Sequence, residues 1–451
     1  MVRLTHAVVD PRQNRWLSQL EHLMTDTPLN ADPPGAPQPH ALPPRPAEAH
    51  ALEVARGIAG ERIVCTSLGR AQAAESLAAE RPAACVTAWF LDLYRLERAR
   101  ETVAANAAAK VAEATGEEGA GPTSEVAAEA AAVDVQQIQP GGAAAPHGAA
   151  VGREIGTHAG GIPAAASVEP RFVFACTPDM PPGPYDLAVM PLAKDGEAEL
   201  TRDMLQQAIA QLRIGGHLVA AIDNPNDKWL REQLASTGET VRVRVAEGEK
   251  PETVCYVVTK TRELTKYRDF SCTITFRDRE RLLEAVSWPG VFAHRRIDPG
   301  ARHLLNAVDI APDTHVLDIG CGSGCVALGI AARDPSVRVH AIDSAARAVE
   351  CTRAGAEANG LTNITVALEA AGRVSDPGNY DLVLANPPYY ADFRIAAMFV
   401  DAAWEALAPG GTLLIVTKQP QWYYETLPQR WSNVAHELVK RYHLIEAVKP
   451  G

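Results

Sequence analysis

A short glycine-rich segment constrains the fold of this chain more than any other feature. Residues 316–324 read VLDIGCGSG, an apolar run that turns through three glycines, and residues 326–332 continue it with small apolar residues typical of a helix. A buried strand, a tight glycine turn and a helix form the geometry with which parallel α/β sheets bind nucleotides. Glycine also allows the backbone to approach a ligand closely. The segment therefore predicts a doubly wound α/β domain with a nucleotide-type site.

The residues around the glycines favour S-adenosylmethionine (SAM) over a nicotinamide cofactor. The dinucleotide fingerprint requires glycine or alanine where this chain has Cys325. Asp318 is suited to accept hydrogen bonds from an ammonium group, and Asp343, at the end of the next apolar run, from two ribose hydroxyls. A glycine-rich turn without a ligand is the alternative, against which the two acids argue. The predicted cofactor-binding residues of this region are Asp318, Gly320, Cys321, Gly322, Gly324, Asp343 and Ser344.

A second motif, NPPY at residues 386–389, follows the predicted strand YDLVLA. It stands at the carboxyl end of a strand of the same sheet, so it can face the cofactor. The Asn386 side-chain oxygen and the Pro387 carbonyl can each accept an N–H from an amine or amide, which localises the nitrogen lone pair and stabilises the charge that develops on methylation. Tyr389 offers a flat face for stacking. The motif predicts methyl transfer to nitrogen, although alone it also fits a proline-terminated strand with a surface aromatic.

The motif thus supplies Asn386, Pro387 and Tyr389 as predicted catalytic residues, and Asn386 is expected to contact the cofactor as well. Pro388 is a predicted substrate contact.

These residues resemble the class I SAM-dependent methyltransferases, in particular the small methyltransferase domain group with its RsmC and RlmG type ribosomal RNA guanine-N2 methyltransferases. The resemblance extends over residues 270–451. It includes GVFAHRRIDPG at residues 290–300, which looks like the family's aromatic-then-Asp-x-Gly stretch ahead of the first strand. In the family this stretch lies over the cofactor and substrate cleft, which implies Phe292 and Asp298 as substrate-binding residues.

The chain departs from the family at two points. The polar residue after the third strand is replaced by Ala370 and Ala371, which leaves Glu369 as the nearby cofactor contact. Tyr389 stands where the guanine enzymes more often carry Phe, and Tyr is commoner among adenine and glutamine methyltransferases. The expected function is methylation of a guanine exocyclic amine in ribosomal RNA. The alternatives are a glutamine-N5 protein or adenine-N6 nucleic-acid methyltransferase and, in another class, a SAM-binding protein without turnover, against which Asn386 argues.

Internal repeats predict a duplicated domain. YDLAV at residues 185–189 recurs as YDLVL at an offset of 195, and IGGHL at residues 214–218 recurs as PGGTL at the same offset. Upstream, RIVCTSLG at residues 62–69 fits the glycine segment at an offset of 253. The larger upstream offset predicts an insertion in the first copy. Residues 103–168, which are rich in Ala, Gly, Glu and Pro, have the composition of a disordered or partly helical insertion.

The first copy has lost the residues that bind the cofactor in the second. It keeps one glycine, Gly69, and has Phe90 in place of Asp343, while NPPY corresponds to about residues 190–193. By resemblance, this degenerate domain is expected to position RNA and support the active domain. Two unrelated α/β domains are the alternative.

The predicted fold class is α/β, with two tandem doubly wound, Rossmann-like methyltransferase domains. Residues 1–50 form an amino-terminal segment with a proline-rich linker, residues 51–262 the degenerate domain and residues 263–451 the catalytic domain, which ends with an antiparallel strand near residues 443–448. Residues 422–424, WYY, are further candidates for the cleft, with at least one expected in the core.

Net charge is the main argument against an RNA partner, because the chain carries −12 at pH 7. Residues 262–451 contain 20 Lys and Arg against 22 Asp and Glu, so the predicted catalytic half is nearly neutral. Arg295 and Arg296 are predicted substrate contacts within a basic group that either binds phosphates or forms a salt-bridged surface. That group comprises Arg277, Arg279, Arg281, His294, Arg295, Arg296 and Arg302.

The composition predicts a globular cytoplasmic protein, and the resemblance implies ribosomal RNA or a ribosomal subunit as its partner. The 451 residues contain no apolar run of 18 or more, so we expect no membrane span. The eight cysteines contain no C-x-x-C pair, so we expect free thiols and no metal.

Overall fold

The computed structural model describes residues 7–8, 43–115, 171–245, 251–388 and 393–451. The chain forms two compact units, an amino-terminal unit over residues 37–270 and a carboxy-terminal unit over residues 271–451 with residues 1–36. The division falls a few residues after the boundary that the sequence predicts. Strand β1 (Ala7–Val8) is the described part of the predicted amino-terminal segment before residue 43.

The amino-terminal unit is a seven-stranded sheet with helices. Its helices are α1 (Pro46–Arg56), α2 (Gln72–Glu80), α3 (Leu93–Thr115), α4 (Ala198–Gln211) and α5 (Trp229–Ala235). Its strands are β2 (Arg62–Cys65), β3 (Cys85–Phe90), β4 (Phe172–Cys176), β5 (Tyr185–Leu192), β6 (Leu212–Ile222), β7 (Val241–Val245) and β8 (Val254–Thr259). The order in the sheet is β4-β3-β2-β5-β6-β8-β7. Neighbouring strands are parallel, except that β8 runs antiparallel to both β6 and β7. The central strand β5 is buried over nearly its whole length, as expected for a parallel strand covered on both faces.

The carboxy-terminal unit repeats this plan. Its helices are α6 (Pro299–Ala307), α7 (Cys325–Arg333), α8 (Ala346–Ala358), α9 (Arg394–Ala406) and α10 (Gln421–Thr426), and a 3₁₀ turn covers Leu427–Gln429. A separate hairpin consists of β9 (Cys272–Asp278) and β10 (Arg281–Ser287). The main strands are β11 (His315–Ile319), β12 (Arg338–Asp343), β13 (Ile364–Leu368), β14 (Tyr380–Ala385), β15 (Leu407–Thr417), β16 (Ser432–Val439) and β17 (Tyr442–Val448).

The second sheet has the strand order of the first, with one addition. The order is β1-β16-β17-β15-β14-β11-β12-β13, so β1 extends the edge at β16. The final strand β17 runs antiparallel to β15, as the sequence predicts. Alternate residues of the parallel strands pack into separate cores, with Val316 and Leu382 on one face and Leu317 and Val383 on the other. Two tandem doubly wound units are therefore confirmed.

The strand registers confirm the predicted duplication. Ile63 of β2 is paired with Leu187 of β5, and Val316 of β11 is paired with Leu382 of β14. Ile63 and Val316 are related by the larger offset found in the sequence, and Leu187 and Leu382 by the smaller. The same pair of equivalent residues is therefore matched across the two sheets. The limits of α2 and α7 also differ by the larger offset at both ends. Two unrelated α/β domains would have no reason to share these registers.

The predicted insertion lies partly in a helix. Residues 103–115 form the end of α3, and residues 116–170 lie outside the described part of the chain. Among the helices that the structure describes, none combines the length and apolar composition that a membrane span needs.

In each unit, a lysine donates hydrogen bonds to backbone carbonyls where a helix is followed directly by a strand. The Lys260 ammonium, 1% exposed, donates to the carbonyls of Ala210 and Leu212 at 3.1 and 2.7 Å. Lys449 donates to the carbonyls of Trp404 and Leu407, both at 2.7 Å. Each lysine therefore binds carbonyls where a helix is followed directly by a strand, at the junction of α4 with β6 and of α9 with β15. This shared contact supports the common origin of the units.

Replacing Lys260 with Met should lower the free energy of unfolding of the amino-terminal unit by about 2–3 kcal/mol, because two buried carbonyls lose a charged donor. Urea denaturation measures this effect. The control is Lys266→Met at an exposed position, where we expect a change within about 0.5 kcal/mol. Equal effects of the two substitutions would contradict the assigned role of Lys260.

Candidate active site

The sheet brings the two sequence motifs together. Strands β11 and β14 are parallel neighbours, and Ile319 pairs in register with Ala385. Gly320 and Asn386 are the next residues of these strands, so the glycine loop and the NPPY motif leave the sheet side by side. This edge is the carboxyl end of the parallel strands, where open α/β sheets bind ligands.

All three glycines of the loop have left-handed backbone conformations, with φ of 74° at Gly320, 58° at Gly322 and 78° at Gly324. A Cβ at Gly320 would lie 3.1 Å from the Phe399 ring, and one at Gly324 would lie 2.8 Å from Thr352 Oγ1. Around Gly322 a Cβ would meet no atom within 4 Å. The outer two glycines therefore permit close packing, and Gly322 presents bare backbone to open space.

Asp318 is a buried acid beneath this loop. It is 3% exposed, and its Oδ2 accepts a hydrogen bond from the Ala327 N–H at 3.1 Å. Burial raises the pKa of the carboxyl to about 7, with a further contribution from the nearby charge of Asp343 and an opposing one from the Ala327 hydrogen bond. A buried carboxylate needs a cationic or donating partner, so this position suits a ligand ammonium.

Asp343 orders the glycine loop. Its Oδ2 accepts from the Gly322 N–H at 2.9 Å, and its Oδ1 accepts from the Ala345 N–H at 2.8 Å. The sequence analysis missed this contact with the loop. Its binding of ribose hydroxyls stays a prediction.

Asn386 is held by a residue from the stretch ahead of the first strand. Its Nδ2 donates to Asp298 Oδ2 at 2.9 Å, and the same oxygen accepts from the Ala301 N–H at 3.1 Å as the N-cap of α6. Gly300 makes room for this arrangement, since a Cβ there would lie 2.6 Å from Asp298 Oδ2 and 3.0 Å from Asn386 Oδ1. The helix cap therefore orients the carboxamide.

These residues surround a cleft at the carboxyl end of the parallel strands. Of the residues that line it within the described part of the chain, seven are predicted site residues: Phe292, Asp298, Asp318, Gly320, Cys321, Gly322 and Asn386. The other five were not predicted: Ala293, Ala301, Ser323, Cys325 and Val326. These residues contribute small side chains or backbone N–H groups, which no sequence motif identifies. The one sequence signal that could have indicated them is their position next to a predicted site residue. Burial raises the pKa of the Cys321 thiol well above its usual value, so this lining residue is neutral.

The aromatic stretch lies at the cleft as the resemblance implies. Phe292 lines the cleft and is 58% exposed, which is unusual for a phenylalanine in a folded domain. Left-handed conformations at Ala293 and Arg295, with φ of 57° and 66°, shape the turn that follows it. Arg295 and Arg296 are exposed on that turn, outside the described cleft lining.

Other predicted residues lie elsewhere. Glu369 pairs with Arg373 at 3.8 Å, and neither it nor Ser344 belongs to the described lining of the cleft. Gly324 caps α7, and Pro387 and Pro388 continue from Asn386 without joining that lining. Tyr389 lies outside the described residues.

The aromatic residues after β15 pack against the sheet. Tyr423 is 2% exposed in the core, as expected for at least one of the three. Trp422 stacks on Phe393 with 5.8 Å between ring centroids, and the Tyr424 hydroxyl lies 3.0 Å from His443 Nδ1. None of the three belongs to the described lining of the cleft, so their role there stays a prediction.

The predicted basic group contains residues with structural partners and residues that are exposed. Arg279 pairs with Asp309 at 2.6 Å, and His294 Nδ1 lies 3.0 Å from the Ser287 hydroxyl, so these residues have structural partners. Arg295, Arg296 and Arg302 are exposed.

The corresponding edge of the amino-terminal unit lacks this chemistry. When the two units are aligned by their strand registers, Cys65 is equivalent to Asp318 and Phe90 is equivalent to Asp343. Since Met190 is equivalent to Ala385, the residue equivalent to Asn386 is Pro191, one position later than the sequence alignment suggested.

The strand order, with the glycine loop beside Asn386 at the carboxyl ends of parallel strands, is that of a doubly wound α/β fold with a nucleotide-type ligand site. Residues 283–445 match the methyltransferase small domain model.

Curated relatives agree with this assignment. The chain is 37% identical over 138 residues to the ribosomal RNA small subunit methyltransferase C of Pseudomonas aeruginosa (strain LESB58), covering 30% of this chain and 41% of that protein. It is 32% identical over 155 residues to the protein of the same name from Klebsiella pneumoniae, covering 34% and 44%. The chain thus spans about two fifths of the length of these relatives.

A solved structure extends the likeness to both units. The T. thermophilus 16S rRNA N2 G1207 methyltransferase (RsmC), in complex with AdoMet and guanosine, matches with a TM-score of 0.63 and 18% identity over 90% of this chain and 92% of that one. At this identity, the match shows a shared fold.

The eight cysteines carry free thiols. Among the described residues, no group of three or more His, Cys, Asp or Glu side chains is arranged to hold a metal ion.

The raised pKa of Asp318 predicts a pH-dependent stability. Because its folded-state pKa of about 7 exceeds the value of about 3.9 in an unfolded chain, its contribution is fully present below pH 4 and is lost as the pH rises through 7. The free energy of unfolding of the wild type, measured relative to Asp318→Asn, should fall by a few kcal/mol over this interval and stay constant above it. A difference that does not change with pH would contradict the assigned pKa.

Proposed function

We propose that this chain transfers a methyl group from SAM to the exocyclic amine of a guanine in small-subunit ribosomal RNA. The observation that carries the proposal is the position of Asn386, next to the glycine loop and oriented by Asp298. The names of the relatives support the RNA class of substrate, and the named structural neighbour supports guanine as the target base.

The residues of the cleft fit SAM. Asp318 is a buried acid suited to the ammonium group, Gly322 offers bare backbone without a side chain in the way, and Asp343 stands at the end of β12 where the ribose site of such folds lies. The first turn of α7 adds N–H groups at Cys325 and Val326, which suit an anionic group. When bound, SAM supplies an electrophilic methyl group on a sulfonium.

Asn386 prepares the amine for transfer. Because its Nδ2 donates to Asp298, the carboxamide is oriented, and its oxygen is the atom that can accept an N–H from the substrate. With the Pro387 carbonyl as a second acceptor, the amine nitrogen is favoured in a pyramidal form whose lone pair points at the methyl group. The acceptors also stabilise the positive charge on nitrogen, and the proton is then lost from the methylated amine.

The substrate side of the cleft is suited to an RNA base. Phe292 exposes an aromatic face on which a flipped base can stack, and Arg295 and Arg296 are close in sequence for the flanking phosphates. The near-neutral charge of the carboxy-terminal half does not oppose this partner. By resemblance, the amino-terminal unit assists in positioning the RNA, and the place of action is the cytoplasm, where ribosomal RNA is found.

Two other functions are outcomes of the same test. An adenine-N6 or glutamine-N5 target is suggested by Tyr389, and a SAM-binding protein without turnover would have no use for an oriented Asn386. Mass spectrometry of ribosomal RNA from a strain that lacks this gene should show the loss of one N2-methylguanosine from the small subunit. Loss of a methyladenosine, or an unchanged RNA with a methylglutamine missing from a protein, would replace the guanine assignment.

Asn386→Ala should reduce methyl transfer by about a hundredfold or more while leaving the dissociation constant of SAM nearly unchanged, because one preorganised acceptor is lost from the transition state. Calorimetry measures the binding and single-turnover kinetics the transfer. The control is Asn306→Ala, an exposed asparagine on α6, which should retain full activity. Wild-type transfer by the Asn386 variant would refute its catalytic role.

A further inference from the structure

The two units begin their sheets with equivalent helices that differ at one buried position. Helix α1 starts at Pro46 and α6 at Pro299, which are related by the same offset as the two loop segments. Two positions further along, the amino-terminal unit has Glu48, 1% exposed, and the carboxy-terminal unit has Ala301, 8% exposed, at the wall of the cleft. The same place next to a glycine loop thus holds a carboxylate in one unit and a methyl group in the other.

The Glu48 carboxylate is bound to the loop after β2. Its Oε1 accepts from the Ala73 N–H at 3.1 Å, and the carboxylate also accepts from the backbone N–H groups of Leu68 and Gln72 and from the Ser67 hydroxyl. Burial raises the pKa of Glu48, and these four hydrogen bonds oppose that rise. Glu48 therefore uses the donors that a loop of this kind offers to a ligand.

The loop agrees with its counterpart at the residue before the helix and differs earlier, where Gly69 has a φ of 153° and its equivalent Gly322 a φ of 58°. Ala71, directly before α2, has a φ of 56°, and Gly324, directly before α7, has a φ of 78°. The Ser67 hydroxyl oxygen accepts from the N–H groups of Gly69 and Ala71 at 3.0 and 2.8 Å, which closes the turn from inside. A left-handed conformation is costly for alanine, so the entry into α2 keeps a feature of its counterpart at the start of α7.

The donors of Glu48 have equivalents in the cleft of the carboxy-terminal unit. Leu68, Gln72 and Ala73 correspond to three cleft-lining residues, namely Cys321, Cys325 and Val326. The Cys321 N–H donates to the Ile342 carbonyl at 3.1 Å, so the donors offered to a ligand are those of the other two. These two belong to the first turn of α7, whose N–H groups lack acceptors within the helix. The small side chain of Ala301 leaves the space in front of them open.

We propose that Glu48 is an internal ligand whose carboxylate closes the amino-terminal glycine-loop site, in the place where the carboxy-terminal unit receives the carboxylate of its cofactor's methionine. One side chain at equivalent positions then decides which loop is filled by the protein and which is open to a ligand. The statement about Glu48 stands on the structure of the amino-terminal unit, and the statement about Ala301 rests on the proposed function.

The first experiment removes the internal carboxylate. Glu48→Ala removes the acceptor of the buried Ala73 N–H and of the partly buried N–H groups of Leu68 and Gln72, so its melting temperature should fall by several degrees. Sodium formate at tens of millimolar should restore part of this loss relative to sodium chloride, because formate supplies the missing carboxylate. Glu48→Gln fills the same space without the charge and should respond little to formate. Glu53→Ala, at an exposed position of α1, should show neither the loss nor the rescue.

A Glu48→Ala variant that melts as the wild type does, or that gains no more from formate than Glu53→Ala does, would overturn the internal-ligand role. This measurement needs neither SAM nor methyl transfer, so it decides the role of Glu48 even if the proposed function fails.

The second experiment introduces the carboxylate into the open site. Ala301→Glu should weaken SAM binding about a hundredfold or more, while the melting temperature stays at or above that of the wild type, because the new carboxylate meets free helix donors. Asn306→Glu adds the same charge at an exposed position of α6 and should bind SAM normally. Normal SAM binding by a folded Ala301→Glu variant would overturn the assignment of Ala301. If the wild type itself binds no SAM, the proposed function fails and the formate result still stands.

Discussion

The parallel pairing of β11 with β14 is the interaction on which the account of this molecule depends. Because Ile319 and Ala385 lie in register, the chain leaves both strands at the same edge, and the glycine loop meets Asn386 there although the two motifs are far apart in the sequence. The apolar residues of these strands alternate between two helix-covered cores, which fixes the register against a one-residue slip. The position of Asn386 beside the glycine loop depends on this alignment.

Duplication explains why both units have a sheet edge where parallel strands end beside a loop. Within the described residues, the cleft with the acids and Asn386 lies at the edge of the carboxy-terminal unit. The two sequence offsets recur in the strand registers and the helix limits, and a lysine binds the end of the equivalent helix in each unit. At the edge itself, Asp318 is replaced by Cys65 and Asp343 by Phe90, and Glu48 takes the loop donors. A fold can therefore retain its architecture, which depends on distributed apolar packing, after the few polar residues of its site have changed.

Much of the fold was predictable because its signals are local. The glycine turn, the NPPY motif and the repeated strands are contiguous in the sequence, and their order implies a doubly wound sheet. Contacts that join distant segments were not predictable. The bond from Asn386 to Asp298 spans 88 residues, β1 pairs with β16 near the other end of the chain, and Glu48 reaches a loop on another element. The resemblance supplied Asp298 as a site residue, but its action as a helix cap that orients Asn386 emerges only from the way α6 begins beside the end of β14.

The central claim is that one cleft holds a methyl donor opposite an amine bound by Asn386. The most direct test is a crystal structure of the chain with S-adenosylhomocysteine and guanosine. The account predicts the cofactor on the glycine loop with its sulfur facing Asn386, and the guanosine amine hydrogen-bonded to Asn386 Oδ1, at a position from which a methyl carbon on sulfur would lie about 3–3.5 Å away. A cofactor bound away from Gly322, or a nucleoside whose amine does not reach Asn386, would contradict it.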